Sequence, residues 1–134
     1  MSSIYFKEEH TLLQTMIRDF AKNEIAPLAK EIDEKECFPS ESMQKIKDLG
    51  LMGIPWEAEY GGGGMDTLSL VIVINEIAKV CVSTAATLMA HTSLGTVPFQ
   101  YFGTDFQKEK YLSKLASGEM IGAFGLTEPG AGSD

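Results

Sequence analysis

The last eleven residues, Phe124-Gly-Leu-Thr-Glu-Pro-Gly-Ala-Gly-Ser-Asp134, gather the densest set of groups able to meet a polar ligand. Gly130 and Gly132 permit positive φ and close backbone approach. Exposed N–H groups there, with the Thr127 and Ser133 hydroxyls, could converge on one polar partner. A tight turn explains the same residues, so both readings stand at this level.

Other candidate chemistry is thinner. The run Gly61 to Gly64 could cradle a phosphate, but it lacks the Gly-Lys-Ser/Thr ending of a Walker loop. It also lacks the preceding strand, and the acid about twenty residues on, of a dinucleotide-binding turn. A flexible connection is the better reading. His91 could act as a base only with an orienting partner, and the nearest acid in sequence, Asp105, lies beyond the break expected at Pro98. It reads as a structural histidine near a helix end. Asp33, Glu34 and Glu36 alternate with Lys30 and Lys35 and read as a solvated helix face rather than a metal site. Cys37 and Cys81 are far apart, outside any zinc or disulfide spacing, and fit a reducing compartment. Neither a Gly-x-Ser-x-Gly elbow nor a Cys with an obvious His partner supports nucleophilic catalysis.

Composition narrows the class. The 134 residues are 44% hydrophobic and 22% charged, ordinary values for a globular domain with a real core. With 19 acidic against 11 basic residues the net charge is -8, and no basic cluster offsets it, which excludes nucleic acid as an expected partner. Residues 1 to 10 show no secretory or transit pattern. The charge-free run from Val80 to Thr104 is interrupted by Ser83, Thr84, Thr87, His91, Thr92 and Pro98, too polar to span a membrane.

The elements that would position these residues are mostly helical. Leu12, Leu13, Met16, Ile17, Phe20, Ala21 and Ile25 recur at helical spacing, with Gln14, Arg18, Asp19 and Lys22 on the other side. Pro27 should kink or restart this helix, with Leu28 and Ile32 continuing its apolar face. Ser40 is expected to cap a second helix that buries Met43, Ile46 and Leu49 and stops at Gly50. Asp66 is expected to cap a third, apolar nearly all round from Leu68 to Val80 and therefore central. The small residues Ala85, Ala86, Thr87 and Ala90 would then let a helix approach another helix or a ligand. Thr104 and Gln107 have capping-box spacing, with Phe106, Leu112 and Leu115 facing inward and Gly118 ending the helix. Met120 to Thr127 reads as a strand, and a lone strand requires partners from elsewhere.

Four stretches in order carry a resemblance. They are Glu24-Ile-Ala-Pro-Leu-Ala29, Pro55 to Asp66 with its Glu-Tyr-Gly-Gly core, Phe102-Gly-Thr-Asp105 with Gln107-Lys108 through Glu119, and Leu126 to Asp134. The last resembles the first half of the acyl-CoA dehydrogenase signature, and together they cover nearly the whole chain. The resemblance implies an all-α N-terminal helical domain over residues 1–118, followed by the first strand of a truncated β domain at 119–134.

It also implies FAD as cofactor and an acyl-CoA substrate. Phe124, Gly125, Leu126, Thr127, Gly132 and Ser133 would contact the flavin, Ser133 would also touch substrate, and Thr87, Ala90 and Leu94 would wall the acyl chain. No catalytic residue is assigned, because the family's carboxylate base belongs to its C-terminal part. The fragment alone is therefore expected to be inactive. The parent would turn a short- or medium-chain acyl-CoA into trans-2-enoyl-CoA, pass electrons to an electron-transfer flavoprotein and form a homodimer or homotetramer. It would work in bacterial cytoplasm, or in the mitochondrial matrix if the start is a processed one. An acyl-CoA oxidase or related monooxygenase of the same fold, and a non-enzymatic helical binding module, are the alternatives.

Overall fold

The computed structural model describes residues 5–133. Helix α1 (Glu8–Phe20) runs through a widened π turn at Ala21–Ile25 into α2 (Ala26–Glu34). Pro27 falls in the first turn of α2, where its missing N–H is tolerated, so the chain restarts a helix as the sequence predicts. Of the apolar stripe, Leu13, Ile17, Ala21 and Ile25 are buried, whereas Leu12 and Met16 are exposed. The stripe is one residue per turn narrower than the sequence suggested. Lys30 and Lys35 pair with Glu34 and Glu31 on the solvated face of α2.

Helix α3 (Ser40–Asp48) buries Met43 and Ile46 and ends at Gly50, whose φ of 70° is the left-handed stop expected there. Two details differ from expectation. Ser40 is the first helical residue and makes no side-chain cap, because Pro39 occupies the cap position. Leu49 lies past the last buried turn and is exposed.

The glycine run is a loop, but a hydrogen-bonded one rather than a slack connection. The amides of Gly62, Gly63, Gly64 and Met65 donate to the carbonyls of Glu57, Gly53, Trp56 and Ile54. A Cβ on Gly62 would lie 2.1 Å from the Trp56 carbonyl oxygen, so glycine is required for close approach.

Asp66 caps α4 (Thr67–Ala78), accepting the Ser69 amide at 2.8 Å. The same carboxylate faces His10 Nε2 at 3.0 Å, and His10 Nδ1 accepts the Lys7 amide, tying the two helix starts together. Leu70, Ile72, Val73 and Ile77 are buried, leaving only a stripe of Thr67, Val71, Asn75 and Lys79 in solvent, as a central helix requires. Helix α4 packs on α1 and on α5 (Val82–Met89). At that seam Glu76 is buried and accepts from Gln14, Arg18 and Lys79, so Gln14 and Arg18 reach inward over the helix edge.

A second π turn, Ala90–Gly95, leads to α6 (Val97–Phe102). The Thr104–Gln107 capping box is present, with both reciprocal bonds, and starts α7 (Asp105–Gln107). A third π turn at Lys108–Leu112 and α8 (Ser113–Ala116) follow, and Gly118 stops the run at φ 73°. Leu112 and Leu115 are buried, but Phe106 is exposed with Lys110 over its ring. The widened turn shifts the buried register, which a constant 3.6-residue period cannot anticipate.

From Met120 to Thr127 the chain is non-helical and makes no ladder; the β pairing among the described residues is the single Glu128–Ala131 bridge. No strand lies beside this stretch to supply partners, so the pairing expected of a strand cannot form.

Candidate functional site

The segment that follows α8 is fixed at one end by the core. Gly118 turns the chain past Met52, and the Met120 amide donates to the Lys114 carbonyl at 3.0 Å. The Gly122 amide then donates to His91 Nδ1 at 2.9 Å. His91 is fully buried in the second π turn, and its Nε2 lies 3.1 Å from the Leu115 carbonyl oxygen. An amide donor on Nδ1 and a carbonyl on Nε2 require the neutral ring with its proton on Nε2. Burial, the main cause, holds the His91 pKa below its ordinary value and keeps the ring in that form. The histidine is thus structural, as its sequence context suggests, yet it sits at the root of the ligand-binding candidate.

Backbone contact reinforces the crossing. A Cβ on Gly95 would lie 2.4 Å from the Gly122 carbonyl carbon. The π turn and the 120–123 segment therefore touch main chain to main chain, which only two glycines allow.

Beyond this crossing the chain is open. Phe124, Gly125, Leu126, Thr127, Gly132 and Ser133 are all exposed, Leu126 at 70%. Among the described residues, the backbone amides from Ala123 to Thr127 have no hydrogen-bond partner. A Cβ on Gly125, Gly130 or Gly132 would meet nothing within 4 Å. Unpaired donors beside open space could meet a polar ligand. Glu128 to Ala131 closes as a tight turn, each residue's amide donating to the other's carbonyl. Gly130 and Gly132 do not adopt the positive φ that the sequence allows them. Their use is room for approach, not left-handed geometry.

Thr87, Ala90 and Leu94 lie along one side of α5 and its π turn. The Thr87 hydroxyl donates to the Ser83 carbonyl at 2.9 Å, so its methyl is what remains to face a neighbour. Leu94 is half exposed beside Gly95, and Phe124 is two residues past Gly122, which places both next to the crossing. Val82 and Met89 are also exposed on α5. Sequence reasoning missed Gly95 as a contact and His91 as its partner, since two glycines and a histidine some thirty residues apart have no periodic signal.

Glu76 and Asp66 are not placed for proton abstraction at this surface. Burial acts to raise the Glu76 pKa, but hydrogen bonds from Lys79 and Arg18 outweigh it and hold the carboxylate ionised. Asp66 is lowered to about 2, chiefly by the Ser69 amide and hydroxyl, then by His10. Both are committed to helix packing. No three His, Cys, Asp or Glu side chains among the described residues converge as metal ligands, and none of their helices is long and apolar enough to cross a membrane.

Comparison with known proteins gives this arrangement a context. The short-chain specific acyl-CoA dehydrogenase of Clostridium acetobutylicum is 52% identical over 126 residues, covering 94% of this chain and 33% of the relative. The butyryl-CoA dehydrogenase of Megasphaera elsdenii superposes with a TM-score of 0.88 at 37% identity, over 97% of this chain and 35% of that one. An acyl-CoA dehydrogenase from Bacillus anthracis, solved in complex with FAD, matches with a TM-score of 0.87 at 35% identity, over 100% of this chain and 23% of that one. The chain thus spans about a third of the length of the curated relatives it matches. A family model described as acyl-CoA dehydrogenase, N-terminal domain, aligns with residues 7–119, and with these relatives it establishes that the chain belongs to the acyl-CoA dehydrogenase family.

Proposed function

We propose that this chain is the substrate- and flavin-facing front of an acyl-CoA dehydrogenase that converts a short- or medium-chain acyl-CoA to the trans-2-enoyl-CoA. The observation that carries the reading is the open edge from Phe124 to Thr127, with unpaired amides rooted on a buried histidine and a glycine crossing. FAD would supply the hydride acceptor for the substrate β-carbon. The chain's own part is to bind and orient. Leu126 and Thr127 would face the pyrimidine edge of the ring, where amide and hydroxyl donors stabilise developing negative charge. Gly132 and Ser133 would lie beside both ring and thioester, and Phe124 and Gly125 along the ring. The Thr87 methyl, Ala90 and Leu94 would wall the acyl chain, and small side chains there suit short substrates.

Glu76 and Asp66 are engaged in helix packing, and by the family resemblance the α-proton is assigned to a base outside residues 5–133. It follows that residues 1–134 alone lack dehydrogenase activity and hold FAD weakly. Electrons would pass to an electron-transfer flavoprotein, and the whole protein would be a homodimer or homotetramer of the bacterial cytoplasm or mitochondrial matrix. The test is purification of the intact protein and titration with butyryl-CoA and longer thioesters. Bleaching of a bound flavin's visible absorbance by short chains supports the reading, and a colourless protein sinks it.

A further inference from the structure

We propose that His91 is a positioning residue for the flavin-facing segment, with its Nδ1 setting where residues 122 to 127 lie; this rests on the flavin reading above.

Both ring nitrogens are used. Nδ1 accepts the Gly122 amide at 2.9 Å, and Nε2, carrying the proton, donates to the Leu115 carbonyl at 3.1 Å. Rotating the ring by 180° would present C–H groups to both partners, so one orientation is selected. Neither nitrogen is free to act as a base, which separates this role from proton transfer.

The turn that carries His91 is built for the purpose. Its widened geometry leaves carbonyls that buried hydroxyls satisfy: Thr92 donates to Leu88 and Thr96 donates to the His91 carbonyl, both at 2.8 Å. A widened turn shifts the register of the residues it carries, His91 among them. Gly95 then lets the Gly122 main chain lie against the turn.

Past Gly122 the core has no further hold. Among the described residues, no backbone hydrogen bond is made from Ala123 to Thr127. Thr127 is five residues on, a reach of roughly 16 Å at full extension, so a small shift at the pin grows along the segment. A flavin contact needs its donors placed to a fraction of an ångström, and the pin is what supplies that placement.

The intact protein with His91→Gln and His91→Asn separates this role from simple core filling. Gln places an amide at the ε position, keeps the Leu115 partner and lacks an acceptor at the δ position. Asn places an acceptor at the δ position and loses the ε donor. The expected result is that His91→Gln weakens FAD about fivefold, the loss of one hydrogen bond, and speeds exchange of the Gly122 amide, while His91→Asn retains both properties. Equal FAD affinity in the two variants, or wild-type affinity in His91→Gln, overturns the proposal. Should His91→Gln fail to fold, Gly95→Ala gives the same answer with the histidine intact: it displaces Gly122 and is expected to weaken FAD similarly, and unchanged affinity overturns the proposal. A wild-type protein that binds no flavin defeats the functional reading instead, a result distinct from either.

Discussion

His91 and Gly122, thirty-one positions apart, meet through a 2.9 Å hydrogen bond that joins the helical core to the open, non-helical segment that follows it. The bond fixes the histidine's tautomer and the start of the segment at once. The segment proposed to face the flavin is thus tied at its start to a buried side chain of the helical core.

Thr127→Ala in the intact protein removes a hydroxyl from the open edge. The expected outcome is FAD affinity reduced about fivefold, equivalent to about 1 kcal/mol for one net hydrogen bond. Flavin fluorescence recovery on dilution measures it, and unchanged affinity removes Thr127 from the contact set.

Gly62→Ala tests whether the glycine run is packed. Its Cβ would lie 2.1 Å from the Trp56 carbonyl oxygen, and backbone cannot move aside as a side-chain tip can. A loss of about 1–3 kcal/mol is expected, as for other overpacked sites. Gly61→Ala meets no atom but sits at φ 80°, so its smaller loss should reflect backbone strain alone. Urea unfolding of both variants checks the order.

Glu76 links α1 to α4 through three donors. Arg18 and Lys79 are half exposed, so solvent weakens the value of each pair. Glu76→Gln, which keeps shape and one acceptor, should cost about 1 kcal/mol. Replacing Arg18 and Lys79 together with Met leaves a buried carboxylate with Gln14 as its one partner and should cost more, about 3 kcal/mol. Equal losses in urea unfolding would count against a buried charge at this position.

Stability should fall with acid in two steps. The folded protein holds the His91 pKa below its ordinary value, so the unfolded chain binds the proton first as pH drops. Stability from that burial is complete above about 6.5 and declines as pH falls through it. Asp66 is lowered from 3.8 to about 2, so its contribution is complete above the higher value and is lost between the two. Thermal unfolding between pH 8 and 2 follows both steps. His91→Gln should abolish the upper one and leave the lower.

Much of the scaffold was legible. The Asp66 cap, the Thr104–Gln107 capping box, the glycine stops at Gly50 and Gly118, and the central character of α4 follow from local rules that act within one or two turns. Misreadings fall at the edges of elements and of their apolar faces. Phe106 and Met16 were expected inside by a 3.6-residue period, and both are exposed. Ser40 had the right side chain for a cap, one position too late.

The residues of the open segment stood out by their types, glycines, a proline and two hydroxyls, which fit a ligand site and a tight turn equally, and the flavin reading came with the family resemblance. Their placement could not be read this way. The positive φ allowed to Gly130 and Gly132 is not used, and the glycine that matters for the crossing is Gly95, which no turn rule marks.

Sequence by itself determined where most helices start and stop and the centre of each apolar face, while the flavin contacts are what its family resemblance implies. Tertiary structure alone decided that His91 points both its nitrogens into main chain, that Gly95 and Gly122 touch, and that Glu76 is buried among Gln14, Arg18 and Lys79. The physical reason is range: helix capping and periodicity act over a few residues, whereas these contacts, the local Glu76–Lys79 pair aside, join residues between roughly 25 and 60 positions apart, and only packing the helices together brings them within reach.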